Sequence, residues 1–449
     1  MGLQPIEKIE INRFLLLIGE QASGKSTLAK LIYFFQKVPE YIYESIYNDL
    51  EERTRLVSKG NPNCIADKIE DEFYQAFGQI SQSKLQIKFC YRIKDVPFSQ
   101  DISVEIKKTE NKIVVELGGH LEQQLQTILD TTLENFDKAH AGQAKNYHTR
   151  LFTVYGALRN EVNTLFGNKN TDFTYIIAGR STTVAFPEMI EAKLTVELEN
   201  VIESTIKKQQ FGRRIGNEYL LLQFINWARE VRIFFRNNGG TFVSAKDRLI
   251  HHESLDKLIG IFERVLKGKY DYQNGEEMIR INEHEKVGLK DASSGQQAVL
   301  RILQGIFIAT GTENRTEMMI VEEPEAHLFP LAQREIINAF ALFLNTIQGG
   351  KLIITTHSPY VLACVNILLM AKYVAKQKSG QIETIDKNII EKDFWLDAAD
   401  FSAYSLGHEA PYCVNLKDDI TGFISQNYLD SISEALGLEY QQLYQLLTS

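Results

Sequence analysis

A chain of 449 residues can bury a large core and has room for two or three domains or lobes. With 44% hydrophobic and 24% charged residues and no low-complexity tract, its composition is that of a folded globular protein and excludes a disordered or fibrous one. A net charge of −9 argues against a surface coated all over in nucleic acid, so any such contact has to come from a local patch.

The first predicted element is a buried strand, Phe14 to Ile18, followed at once by Gly19-Glu20-Gln21-Ala22-Ser23-Gly24-Lys25-Ser26 and a helix whose apolar face continues through Leu28, Leu31, Ile32 and Phe35. This run fits the phosphate-loop pattern G-x-x-x-x-G-K-[ST] in its required strand–loop–helix setting. Its glycines let the backbone N–H groups of Gly19 to Thr27 turn into one concavity, where the helix adds its positive end. Lys25 is expected to reach the terminal phosphates of ATP and Ser26 to hold a magnesium ion.

Two β-rich pieces follow at 84–94 and 102–117, then helix-like stretches at about 120–167 and 188–268. No sustained heptad runs through them, so a long coiled-coil arm is not expected. From Lys207 to Arg248 nine basic residues stand against three acidic ones, a basic island in an acidic chain. It reads equally as a solvated helix face or as a surface for nucleic acid or an acidic partner.

The second half of the site begins at Asp291-Ala292-Ser293-Ser294-Gly295-Gln296-Gln297, small and polar residues at the start of an apolar helix, which suits an anion. Met318 to Val321 then form a buried strand that ends in Glu322-Glu323-Pro324-Glu325-Ala326-His327-Leu328-Phe329-Pro330. In a phosphate-loop ATPase such a strand lies beside the loop. Glu322 is expected to position the metal, directly or through water, and Glu323 to polarise the attacking water. A further apolar strand, Lys351 to Thr356, delivers His357 to a sheet edge, where it can contact the γ-phosphate, and Pro359 closes that strand.

Phosphate loop, Ser-Ser-Gly-Gln-Gln signature, acidic strand end and Thr-His-Ser-Pro switch, in that order, resemble the ABC-type ATPase heads of the RecF, SMC and OLD group. The resemblance covers most of the chain and feels closest to the stand-alone ATPases of antiphage systems such as Septu and PARIS. It implies an α/β ABC-type P-loop ATPase head with a mixed sheet and an inserted helical lobe. The head would comprise residues 1–180 and 269–449, with the insertion at 181–268. It further implies that Ser293, Ser294, Gly295 and Gln296 cap the ATP of a second subunit, that Glu323 is the catalytic acid and that His357 is the switch histidine. Tyr175 to Ser181 also resembles a strand of this group that ends in an arginine, so that Arg180 either faces the nucleotide or the partner subunit, or makes a structural salt bridge.

The chain departs from this pattern where the acidic strand runs on as His327-Leu328-Phe329-Pro330, not His-Leu-His-Pro, and where the signature begins Ala-Ser-Ser-Gly, not Leu-Ser-Gly-Gly. No Asp-x-Asp pair of a Toprim nuclease follows His357, and the adjacent Asp418 and Asp419 would splay apart, so nuclease activity is not expected. The C-terminal stretch reads as amphipathic helices around Leu429 to Leu447.

The implied partners are a second copy or a higher homo-oligomer, and a separate effector protein such as a nuclease or toxin. The alternative is a DNA-repair or DNA-end-binding ATPase that acts through 207–248. The four cysteines, Cys64, Cys90, Cys364 and Cys413, form no C-x-x-C pair and read as small buried apolar residues. The longest apolar runs, near 14–18 and 361–370, are too short for a membrane span, and no signal peptide stands out, so a cytoplasmic protein is expected.

Overall fold

The computed structural model describes residues 6–53, 63–78, 80, 85–91, 102–109, 112–118, 120–140, 147–167, 171–181, 216–313 and 316–424. Its contacts divide the chain into two compact units.

The unit that carries the sequence motifs holds residues 2–29, 174–193 and 223–449. Its main sheet has six strands: β1 (Phe14–Gly19), β5 (Thr171–Ile176, of which 174–176 belong to this unit), β9 (Thr316–Glu322), β10 (Lys351–Thr356), β11 (Phe401–Leu406) and β12 (Cys413–Asn415), in the order β12-β11-β1-β10-β9-β5. Strand β1 pairs in parallel with both β10 and β11, and β10 in parallel with β9, whereas β12 runs antiparallel to β11. The sheet is therefore mixed, with a parallel centre. Near-continuous burial of β1 and of Met318 to Val321 follows from that position, because a central parallel strand is covered on both faces.

Helix α5 (Gly216–Asn237) begins outside this unit, and its part from 223 onward belongs to it. The unit's remaining helices include α7 (His252–Leu266), α8 (Ser294–Gly311), α9 (Pro330–Thr346) and α10 (Pro359–Gln377); α6 (Phe242–Lys246) is a short turn between α5 and α7. They bury Leu258, Phe262, Leu300, Phe307, Phe340 and Leu369 in one core with Leu16, Val321 and Ile354 of the sheet. A small antiparallel sheet, β6 (Lys269–Gln273), β7 (Glu276–Arg280) and β8 (Lys286–Gly288), leads into α8. By length and composition α10, with 19 residues, could cross a membrane, but it turns Val361, Leu362, Val365, Leu368 and Leu369 into the core.

The other unit, residues 30–173 and 194–222 with Met1, holds most of α1 (Lys25–Arg53), α2 (Asn63–Phe77), an antiparallel sheet of β2 (Leu85–Tyr91), β3 (Ile102–Thr109) and β4 (Lys112–Gly118), and helices α3 (Leu121–His140) and α4 (Tyr147–Leu165). Its interior is aromatic: Phe34 packs edge-on to Phe73 at 5.3 Å, Phe35 stacks on Phe89 at 5.0 Å, and the Tyr91 hydroxyl donates to the Phe35 carbonyl. The β-rich piece expected at 102–117 comprises two antiparallel strands, β3 and β4.

Cys90 is exposed, contrary to the expectation of burial, because it lies on the alternate face of β2. Of the basic island, Lys207, Lys208, Arg213 and Arg214 lie outside the described residues, as do the C-terminal helices expected near 429–447.

Candidate functional site

The site lies at the C-terminal ends of adjacent parallel strands. Strand β1 delivers the loop 19–26, β9 delivers the acidic turn and β10 delivers His357. Strand β10 is an interior strand, so His357 stands at a sheet end and not, as expected, at a sheet edge; Pro359 opens α10.

Gly19 is required by contact. A Cβ there would stand 2.0 Å from the Leu406 carbonyl oxygen at the end of β11. Gly24 has φ +95°, which favours glycine. The first i→i−4 bond of α1 runs from Leu28 N–H to the Gly24 carbonyl at 2.9 Å, so the amides of Lys25, Ser26 and Thr27 precede the helical ladder and suit an anion. Lys25 is buried, and its Nζ donates to the carbonyls of Gly19 (3.0 Å) and Glu20 (2.7 Å) and to Ser23 Oγ (3.3 Å). Burial lowers its pKa, against the opposing pull of the Glu323 and Glu325 carboxylates.

Glu322 is buried at the end of β9, where Tyr175 donates its hydroxyl to Oε1 (2.7 Å) and Ala178 its N–H to Oε2 (3.0 Å). The next residue, Glu323, takes φ +45° as the chain leaves the strand, and its N–H donates to the Thr355 carbonyl at 2.8 Å. That turn brings Glu323 Oε1 to 3.4 Å from His357 Nε2, with both side chains about one-third exposed.

Arg180 is fully buried and donates to carbonyl oxygens: Nε to Ala298 (2.6 Å), Nη1 to Ile177 (3.1 Å) and Glu322 (2.8 Å), and Nη2 to Glu323 (2.8 Å). It pins the end of β9 to helix α8. Burial pulls its pKa down to about 10, opposed by Glu325, Glu323 and Glu322, so it stays a cation at neutral pH.

Ser293 caps α8. Its Oγ accepts from Gln296 N–H (3.3 Å), and its own N–H donates to Gln296 Oε1 (3.0 Å). Gln296 and Gln297 also donate to the Leu266 and Lys290 carbonyls. Gly295 packs against the acidic turn, since a Cβ there would meet the His327 carbonyl oxygen at 2.7 Å. Ser293 and Ser294 are exposed.

The structure thus gathers Lys25, Glu322, Glu323 and His357 at one end of the sheet, with Ser293 to Gln296 behind the acidic turn. Sequence reasoning missed Tyr175 as the partner of Glu322, Glu325, and His408, whose Nε2 lies 3.0 Å from the Gln21 carbonyl. Only Glu325 left a signal, as the third acid of the run.

Among the described residues no group of three or more His, Cys, Asp or Glu side chains could hold a metal. The oxygen donors present, Ser26 and Glu322, suit magnesium that keeps its waters and binds phosphate, because that ion seldom needs an all-protein cage.

The AAA ATPase domain family matches residues 2–362. No curated protein matches the chain. Similar solved structures include an SMC head domain from Thermotoga maritima (8% identity, 78% of this chain and 83% of that one, TM-score 0.31). Another is an Smc head with an extended coiled coil bound to the C-terminal domain of ScpA, derived from Pyrococcus furiosus (10%, 95% and 93%, TM-score 0.34). At such identities and scores neither assigns a partner or an activity to this chain. The match over residues 2–362, on a sheet that carries the phosphate loop and the acidic strand end, shows that the chain belongs to the AAA ATPase domain family and has a P-loop ATPase fold.

Proposed function

We propose that this protein is an ATP-binding and ATP-hydrolysing dimeric switch that senses a signal and controls a separate effector. The observation that carries hydrolysis is the Glu323 carboxylate 3.4 Å from the His357 imidazole, at the ends of neighbouring strands and within the electrostatic reach of Lys25. Backbone amides around Gly19, Gln21, Ala22, Ser23, Gly24, Lys25, Ser26 and Thr27 receive the phosphates, and Lys25 exchanges its loop carbonyls for phosphate oxygens. Glu323 orients a water and takes its proton as the water oxygen bonds to the γ-phosphorus and the bond to ADP breaks; His357 steadies the γ-phosphate. Ser26 and Glu322 would hold magnesium, which supplies charge neutralisation on the phosphates.

Ser293, Ser294, Gly295 and Gln296 cap the nucleotide of a second copy, so ATP closes the dimer and hydrolysis releases it. The control of an effector such as a nuclease or toxin in antiphage defence rests on the resemblance of the four motifs. A second reading, direct action on DNA, is favoured by Arg229 and Arg236, exposed and two helical turns apart on one face of α5.

Light scattering on Glu323→Gln tests the switch. Stable association with ATP and dissociation after its removal are expected; a mass that ignores ATP contradicts it. Turnover stimulated by duplex DNA, with the stimulation lost as salt rises, would favour the second reading.

A further inference from the structure

Glu325 is a half-buried residue with a buried Oε2, to which the scheme above gives no part. Its side chain turns back to β10, where Oε1 accepts from the Thr356 hydroxyl and from the His357 backbone N–H, both at 2.7 Å. The parallel ladder between β9 and β10 ends at the Thr355–Glu322 pair. The His357 N–H is therefore a backbone donor past the ladder with β9, and Glu325 supplies its acceptor, to which the Thr356 side-chain hydroxyl also donates.

A second lace runs alongside. Ser358 Oγ donates to Gln333 Oε1 (2.7 Å), and Gln333 Nε2 donates to the Leu328 carbonyl (3.0 Å). Acidic turn and switch end are thus stitched on both sides of His357. The other oxygen of Glu325, Oε2, is buried and accepts no hydrogen bond. The two donors need only one acceptor atom with two lone pairs, which a neutral amide also has.

We propose that Glu325 is a positioning residue that fixes the backbone at His357 and so holds its imidazole against Glu323. The proposal rests on the hydrolysis reading of this site. Glu325→Gln keeps the acceptor, whereas Glu325→Leu removes it with little change of volume. Expected for Glu325→Leu is a kcat about 30-fold lower with a KM for ATP within about threefold of wild type, because displacement of a reacting group costs rate more than binding. Glu325→Gln is expected to retain kcat within about threefold. Full turnover in the Leu variant, an equal loss in both variants, or a loss in KM alone overturns the assignment.

A readout independent of turnover is the imidazole resonance of His357 in protein labelled at histidine, assigned by its disappearance in His357→Gln. It should move or broaden in Glu325→Leu and stay in place in Glu325→Gln. If wild type shows no turnover, the hydrolysis reading fails, and this resonance still decides whether Glu325 positions His357. Should Glu325→Leu fail to fold, Thr356→Val removes one of the two donors isosterically and is expected to shift the same resonance; an unmoved signal counts against the proposal.

Discussion

Gly19 and Glu325 show how tightly single residues are constrained at this site. The carbonyl of Leu406 occupies the place of a Cβ at Gly19, so Gly19→Ala must push β11 from the loop. A melting temperature lowered by several degrees, together with weakened ATP binding, is expected from calorimetry and nucleotide titration, and an unaltered protein would contradict the packing. At Glu325, burial raises the pKa, helped by the nearby Glu323 carboxylate and opposed by hydrogen bonds from His357 N–H and Thr356. A folded-state pKa above the unfolded one means that the native state holds this proton more firmly, so its contribution is present at low pH and lost as pH rises out of the ordinary glutamate range. Lys25, Arg180 and Glu322 face the same pocket of charge. Denaturant unfolding should therefore show wild type gaining on Glu325→Gln as pH falls toward that range, and a constant difference would refute the shift. The phosphate loop was legible because its residue types are dictated locally, Gly24 by its positive φ and Lys25 by its place at the helix start. Glu325 was not, because its partners lie 31 and 32 residues on in the chain and meet it only through the sheet.

Between elements, Arg180 is a buried clamp. It ties the exit of β9 to α8 through carbonyl acceptors, and Gly295 lets the N-terminus of α8 sit directly on the acidic turn. Replacing Arg180 with Met strips donors from several buried carbonyls at once, and a loss of about 3–5 kcal/mol is expected from urea unfolding. A loss below about 1 kcal/mol would mean that water replaces the guanidinium. From the sequence, Arg180 is open to a nucleotide contact, a partner-subunit contact or a salt bridge; its bonds to the carbonyls of Ala298, Ile177, Glu322 and Glu323 could not be read there, because no residue type advertises a backbone acceptor. The strands β1, β9 and β10 were legible as apolar runs buried on both faces. The small sheet β6 to β8 was not, since strands of five, five and three residues rich in Lys, Glu and Asp show little alternation.

At the scale of the whole molecule, the six-stranded sheet brings motifs from residue 19 to residue 357 to one end, and the family match spans them. The order of motifs along the sequence anticipated that convergence; the second unit, with its own aromatic core, was read as part of the head at 1–180 and of an insertion at 181–268. The central claim is that this assembly hydrolyses ATP with the Glu323 carboxylate as the general base. It is tested most directly by phosphate release from ATP and magnesium, wild type against Glu323→Gln, with ATP binding measured on the same samples. Turnover by wild type and a loss of at least about 100-fold in a variant that still binds ATP are predicted, the range expected when a general base is removed. A Glu323→Gln protein that releases phosphate at the wild-type rate would contradict the account.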